Sequence, residues 1–123
     1  MPKKPASNSF KTRSQLLQAL FLNHPRHFRC HHIAGIWLGR RLVSVGYNQR
    51  KTHPLQAKHG KNSWALYLHA EVDAIKNFLK TQSVSDLRRA KMIVIRDDMS
   101  NSEPCVGCKR AIANFEIRMV EWT

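Results

Sequence analysis

Two short segments hold the residues best suited to chemistry: His69-Ala70-Glu71 and Pro104-Cys105-Val106-Gly107-Cys108. An imidazole and two thiolates make three ligands for Zn2+, leaving a fourth position for water and a nearby carboxylate to move that water's protons. The chemistry such a set supports is metal-assisted hydrolysis. Cys-x-x-Cys alone is ambiguous, because it also serves structural zinc sites and redox motifs. Here Cys105 and Cys108 stand at the start of a predicted helix, where the positive end of the dipole favours thiolates. His69 and Glu71 are two residues apart, so on a helix their side chains diverge by roughly 200°. That spacing does not suit a metal beside the helix. It does suit a site off the helix's N-terminal end, with His69 as ligand and Glu71 as the base next to it.

The elements that must position these groups follow from periodicity and turn chemistry. Ser9 is expected to cap a helix running to about Asn23, with Leu16, Leu17, Leu20 and Phe21 as its buried stripe and His24-Pro25 as its stop. His32 to Leu38 and Arg41 to Tyr47 read as a hairpin around the Gly39-Arg40 turn. Residues 48–63 read as a long polar loop of the kind that usually carries function. A second helix starts at Trp64 or shortly after and ends near Lys80, with Ala70, Ala74, Ile75, Phe78 and Leu79 facing inward. Residues 83–89 read as a linker, and Lys91 to Arg96 as a strand whose Met92–Ile95 centre is fully buried. After a loop over 97–103 come a helix from about Cys105 to Asn114 and a last strand over Glu116–Glu121. Strands alternating with helices imply an α/β layered domain with right-handed crossovers. Two helix starts then converge, one carrying His69 and the other the cysteines. Residues 1–8 read as a disordered basic arm and 9–123 as a single domain.

The pair His-x-Glu and Pro-Cys-x-x-Cys, in this element order, resembles the zinc-dependent cytidine/deoxycytidylate deaminase superfamily, in style its deoxycytidylate branch. The resemblance extends from about Ile33 to Thr123. It implies a three-layer α-β-α domain, with a mixed sheet of about four strands and helices on both faces. It implies Zn2+ held by His69, Cys105 and Cys108, with Glu71 carrying protons during attack of water on C4 of cytosine, or C6 of adenine, and release of ammonia. Asn48 resembles the family's Asn that contacts the substrate sugar, and Glu103 belongs to its Glu-Pro-Cys variant. Backbone N–H groups near Ala70 and Glu71 are candidates to hold the base's carbonyl oxygen. The family commonly adds a fifth strand and further C-terminal helices that wall the pocket, and it forms homo-oligomers, so a partner subunit is a candidate to complete the pocket.

Other residues have assignments on their chemistry. Trp64 is a candidate to stack on a base, whereas Trp37, Tyr67 and Phe78 read as core. Lys51 and Lys58, with Arg50 and Lys61, are phosphate-contact candidates in the long loop. The segment His27-Phe28-Arg29-Cys30-His31-His32 reads as a basic turn entering a strand, with Cys30 packed as a small apolar residue. Cys30 as a fourth ligand would close the metal site.

Charge is unevenly distributed. The net charge is +13, and residues 1–70 hold twelve Lys/Arg, all seven His and no acid, whereas residues 71–123 hold nine Lys/Arg and all eight acids. Such asymmetry implies an anionic partner. The sequence has no apolar run long enough to span a membrane and no signal-peptide stretch, so a cytoplasmic protein is expected. Three cysteines do not make a disulfide framework, and reduced thiols fit that compartment. A cytosine nucleoside or nucleotide such as dCMP is the leading substrate. Single-stranded DNA or RNA, bound through the basic N-terminal half, is the second candidate. A non-catalytic nucleic-acid-binding module with structural zinc is the third.

Overall fold

Gly39 and Arg40 reverse the chain between β1 (His32–Leu38) and β2 (Arg41–Tyr47), as the sequence predicts, with Leu38 opposite Arg41. Gly39 occupies the first central position with φ +59°, the type II′ pattern that matches strand twist. The computed structural model describes residues 8–25, 31–49 and 68–123. β1 also pairs antiparallel with β3 (Ala90–Arg96), and β3 pairs parallel with β4 (Met119–Trp122). The result is a mixed four-stranded sheet in the order β2-β1-β3-β4.

Helices cover both faces. Ile33, Trp37, Ile93 and Ile95 face α1 (Asn8–Leu22), meeting Phe10, Leu17 and Phe21. Ala34, Ile36, Met92, Val94, Val120 and Trp122 face the other way, towards α2 (Ala70–Phe78) and α3 (Val106–Asn114). Burial on both faces explains why β3 reads as a continuous apolar run. No helix among the described residues is long and apolar enough to cross a membrane.

Five local expectations need correction. The buried stripe of α1 is Phe10, Ser14, Leu17 and Phe21, at i, i+4, i+7 and i+11, and Leu16 and Leu20 are 45% and 38% exposed. The helix starts at Asn8, so Ser9 lies inside it. α2 starts at Ala70, since His69 is extended and stands at the N-cap. β4 starts at Met119 because Glu116, with φ +60°, is still completing the turn out of α3. The predicted linker contains a 3-10 helix over Val84–Arg89.

Several contacts bind α2 to β2. A Cβ on Gly46 would lie 2.2 Å from Ala74 N and 2.3 Å from Ala70 O, so only glycine lets the helix come this close. Ser44 Oγ donates to Ala74 O, and Asn77 Nδ2 donates to Val45 O. The buried Asp73 carboxylate accepts from Tyr47 N and Gln49 Nε2 through Oδ2, with Lys76 Nζ 3.0 Å from Oδ1. Gln49 N donates to Leu68 O, which joins the end of β2 to the approach to α2.

Candidate metal centre and pocket

The two motifs sit where helices begin. His69 is the N-cap of α2, and Cys105 is the N-cap of α3, its Sγ accepting from Cys108 N at 3.5 Å. Leu68 and Val72 pack with Cys108 and Ala111, holding the two helix starts together. His69 Nδ1 lies 3.4 Å from Cys105 Sγ and 3.3 Å from Cys108 Sγ. Tetrahedral zinc, with bonds near 2.1 Å to nitrogen and 2.3 Å to sulfur, calls for about 3.5 Å between such atoms. The donor set therefore fits Zn2+, and its ligand atoms all lie within 4.8 Å of one another.

Proton affinities in this cluster follow from its bonds. The Cys105 thiol is pulled down to about 3, first by its hydrogen bond with Cys108 and then by His69. Donating to Cys105 pushes the Cys108 thiol up, as do burial and the nearby Glu71. His69 is raised, chiefly by its bond with Cys105. Glu71 is 5% exposed, and desolvation raises its carboxyl above the ordinary value.

A cavity of about 240 Å³ opens on this cluster. His69, Ala70, Glu71 and Cys105 contribute from the helix starts, Asn48 from the end of β2, His32 from the start of β1, and Glu103 from the loop before α3. Asn48 Oδ1 accepts from the backbone N–H of His31 and of His32, each at 2.9 Å, which leaves its Nδ2 donors for the pocket. Asp97 N donates to His31 O, so the start of β1 is held from both sides. Burial, followed by Arg96, His69 and His31, lowers the His32 pKa below the usual histidine value.

The loop before α3 has its own anchor. Ser102 Oγ donates to Val94 O and accepts from Thr123 N, while Ser102 N donates to Thr123 O. Ser102 therefore links the end of β3 to the end of β4 three residues before Cys105.

The structure brings His69, Cys105 and Cys108 into one cluster, and Glu71, Ala70 and Asn48 around the same cavity. Trp64, Lys51 and Lys58 lie outside the described residues, as do Cys30, Arg50, Lys61 and Tyr67. His32 and Glu103 line the cavity although sequence reading gave neither a site role. Strand parity carried a signal for His32, because it shares the α2 side of the sheet with Ala34 and Ile36.

Among curated proteins and among solved structures nothing matches significantly. The family model of the cytidine and deoxycytidylate deaminase zinc-binding region matches residues 17–123, which takes in all four strands as well as the metal cluster. A zinc-fitting donor set at two converging helix starts, carried on this sheet, has its counterpart in that match, and the chain belongs to the cytidine and deoxycytidylate deaminase zinc-binding family.

Proposed function

We propose that the protein converts a cytosine base to uracil with release of ammonia, on a free nucleoside or nucleotide such as dCMP, with Glu71 as the catalytic proton carrier. Family membership carries zinc-dependent deamination in general and a nucleoside, nucleotide or nucleic-acid substrate. The observation that supports Glu71 as the proton carrier is its buried carboxyl in the same cavity as the His69/Cys105/Cys108 cluster. A zinc ion on those three donors supplies activation of water near neutral pH. Glu71 takes a proton from the attacking water and delivers it to the ring nitrogen. Once the C4–O bond has formed, Glu71 takes the proton of the new C4 hydroxyl and delivers it to the amino group, so that the C4–N bond breaks, ammonia leaves and C4 becomes a carbonyl. One carboxyl acts first as base and then as acid, and its raised proton affinity suits both. Ala70 and Glu71 lie in the first turn of α2, where unpaired N–H groups suit the base's carbonyl oxygen. Asn48 supports the sugar through Nδ2.

The acid-free N-terminal half favours a second reading, deamination within single-stranded nucleic acid. Ammonia release measured across cytidine, dCMP, adenosine and cytosine-containing oligonucleotides separates the substrates. Glu71→Gln is expected to keep its zinc and lose about 10³-fold in turnover. Loss of zinc together with turnover would assign Glu71 to holding the site instead.

A further inference from the structure

The strands run between two ends that differ in charge. The pocket lies at one end, where β1 starts and β2 and β3 finish. Acids gather there: Glu71, Asp97, Asp98 and Glu103. At the opposite end, the hairpin turn presents Arg40 and Arg41, both exposed. The first turns of α1 lie beside it, with Arg13 Nη2 donating to Gly39 O and its guanidinium 5.3 Å from the Trp37 ring, and with Lys11 exposed. Arg88 and Arg89 come from the 3-10 helix that leads into β3 at this same end. Arg118 precedes β4, which runs parallel to β3, and Lys80 follows the far end of α2.

Asp86 and Glu116 share this end as acids and each is held by an arginine, Arg89 and Arg88 respectively, while Glu121 on β4 is held by Lys91 near the start of β3. Lys11, Arg40, Arg41, Lys80 and Arg118 make no ion pair among the described residues. Elsewhere Lys76, Arg96 and Lys109 each face an acid, and Arg110 on α3 makes no ion pair among the described residues. The described surface therefore carries most of its unbalanced positive charge at the end away from the pocket, and cations crowded without acids repel one another until an anion sits among them. Most are arginines, whose planar fork matches phosphate oxygens. Exposed pairs such as Arg88–Glu116 and Arg89–Asp86 hold only weakly, so these guanidiniums remain available to a stronger anion. From β2 to β4 this end spans about 14 Å at ordinary strand spacing, and a seven-residue strand sets it about 20 Å from the pocket. A phosphate on a single nucleotide seated in the pocket does not reach it.

We propose that this end of the sheet, centred on Arg40 and Arg41 and flanked by Lys11 and Arg118, is a docking surface for the phosphate backbone of a single-stranded polynucleotide, separate from the pocket. The proposal goes beyond the deaminase reading and stands whichever cytosine substrate the pocket takes. The probe is labelled oligothymidylate, which carries backbone phosphates but no cytosine, titrated by fluorescence anisotropy onto the zinc-loaded full chain between about 50 and 200 mM salt. Arg40→Ala/Arg41→Ala is expected to bind at least about fivefold more weakly and to lower the log–log salt slope by about 1.4, at 0.7 per phosphate on a single strand. Arg110→Glu makes the same change in net charge on α3 and is expected to stay within about twofold of the parent. Lys80→Ala/Arg118→Ala supplies a second pair should the hairpin variant melt abnormally. Salt-insensitive binding by the parent chain, both paired variants binding like it, or an equal loss in Arg110→Glu would overturn the proposal. dCMP turnover is expected to be unchanged in the paired variants, and a parallel fall would overturn the separateness of the surface. If no nucleotide is deaminated at all, the deaminase reading fails while the oligothymidylate result stands.

Discussion

Asn48 Oδ1 receives two backbone N–H bonds from the start of β1, so one side chain both braces a strand and faces the cavity. Asn48→Ala leaves those donors without that acceptor and is expected to cost about 1–3 kcal/mol, read as a lower midpoint in denaturant, and to raise KM while zinc content holds. Asn48→Asp keeps the acceptor but removes the Nδ2 donor. It should recover most of the stability and none of the substrate affinity, and recovery of both would remove Asn48 from substrate contact. The metal donors, by contrast, were legible from the two motifs taken together, because His-x-Glu and Cys-x-x-Cys each lie within one turn of a helix start. His32 had no such local signature, and Glu103 had only its place before Pro104-Cys105, which gave it no role. They meet the cavity only because β1 and the loop before α3 end at the same edge of the sheet.

At the scale of elements, the closest constraint is the meeting of β2 and α2 at Gly46. A methyl group there runs into helix backbone, which cannot rotate away as a side chain can. Gly46→Ala is expected to destabilise by about 3 kcal/mol or more, seen in chemical unfolding, and an unchanged midpoint would show that the helix can move off the strand. The hairpin was legible residue by residue, since Gly39-Arg40 between apolar strands admits few other structures. The inward face of α1 was not. Leu16 and Leu20 are the more apolar choices, yet the helix turns Phe10, Ser14, Leu17 and Phe21 onto the sheet. A serine in the buried row hid its period, and only the position of β1 and β3 beneath it decides the face. The end of the second helix was readable from its apolar face, but its start was not, because an extended His69 leaves no mark in composition.

For the whole molecule, the two larger apolar clusters lie on opposite faces of the sheet and neither includes a metal ligand; only the small third cluster, Leu68, Val72, Cys108 and Ala111, does. The fold should therefore survive chelation. With zinc withdrawn, Cys105 and Cys108 share a proton across their hydrogen bond, so the buried thiol keeps a partner. Chelation is expected to lower Tm by on the order of 10 °C, from a metal contribution of about 4 kcal/mol at a thousandfold excess over Kd, with near-ultraviolet circular dichroism retained at room temperature. Collapse of that signal would mean that the metal organises the core as well as the site. The bond from Gln49 N to Leu68 O has a consequence at this scale. It sets Gln49 beside Leu68, the residue before His69, with Asp73 holding Gln49 to α2. Because Gln49 and Leu68 are joined by a bond of their own, a flexible chain of another length between them would change the closure cost by only about 0.6 kcal/mol per doubling, and the seat of α2 on β2, held at Ser44, Val45 and Gly46, would not depend on it.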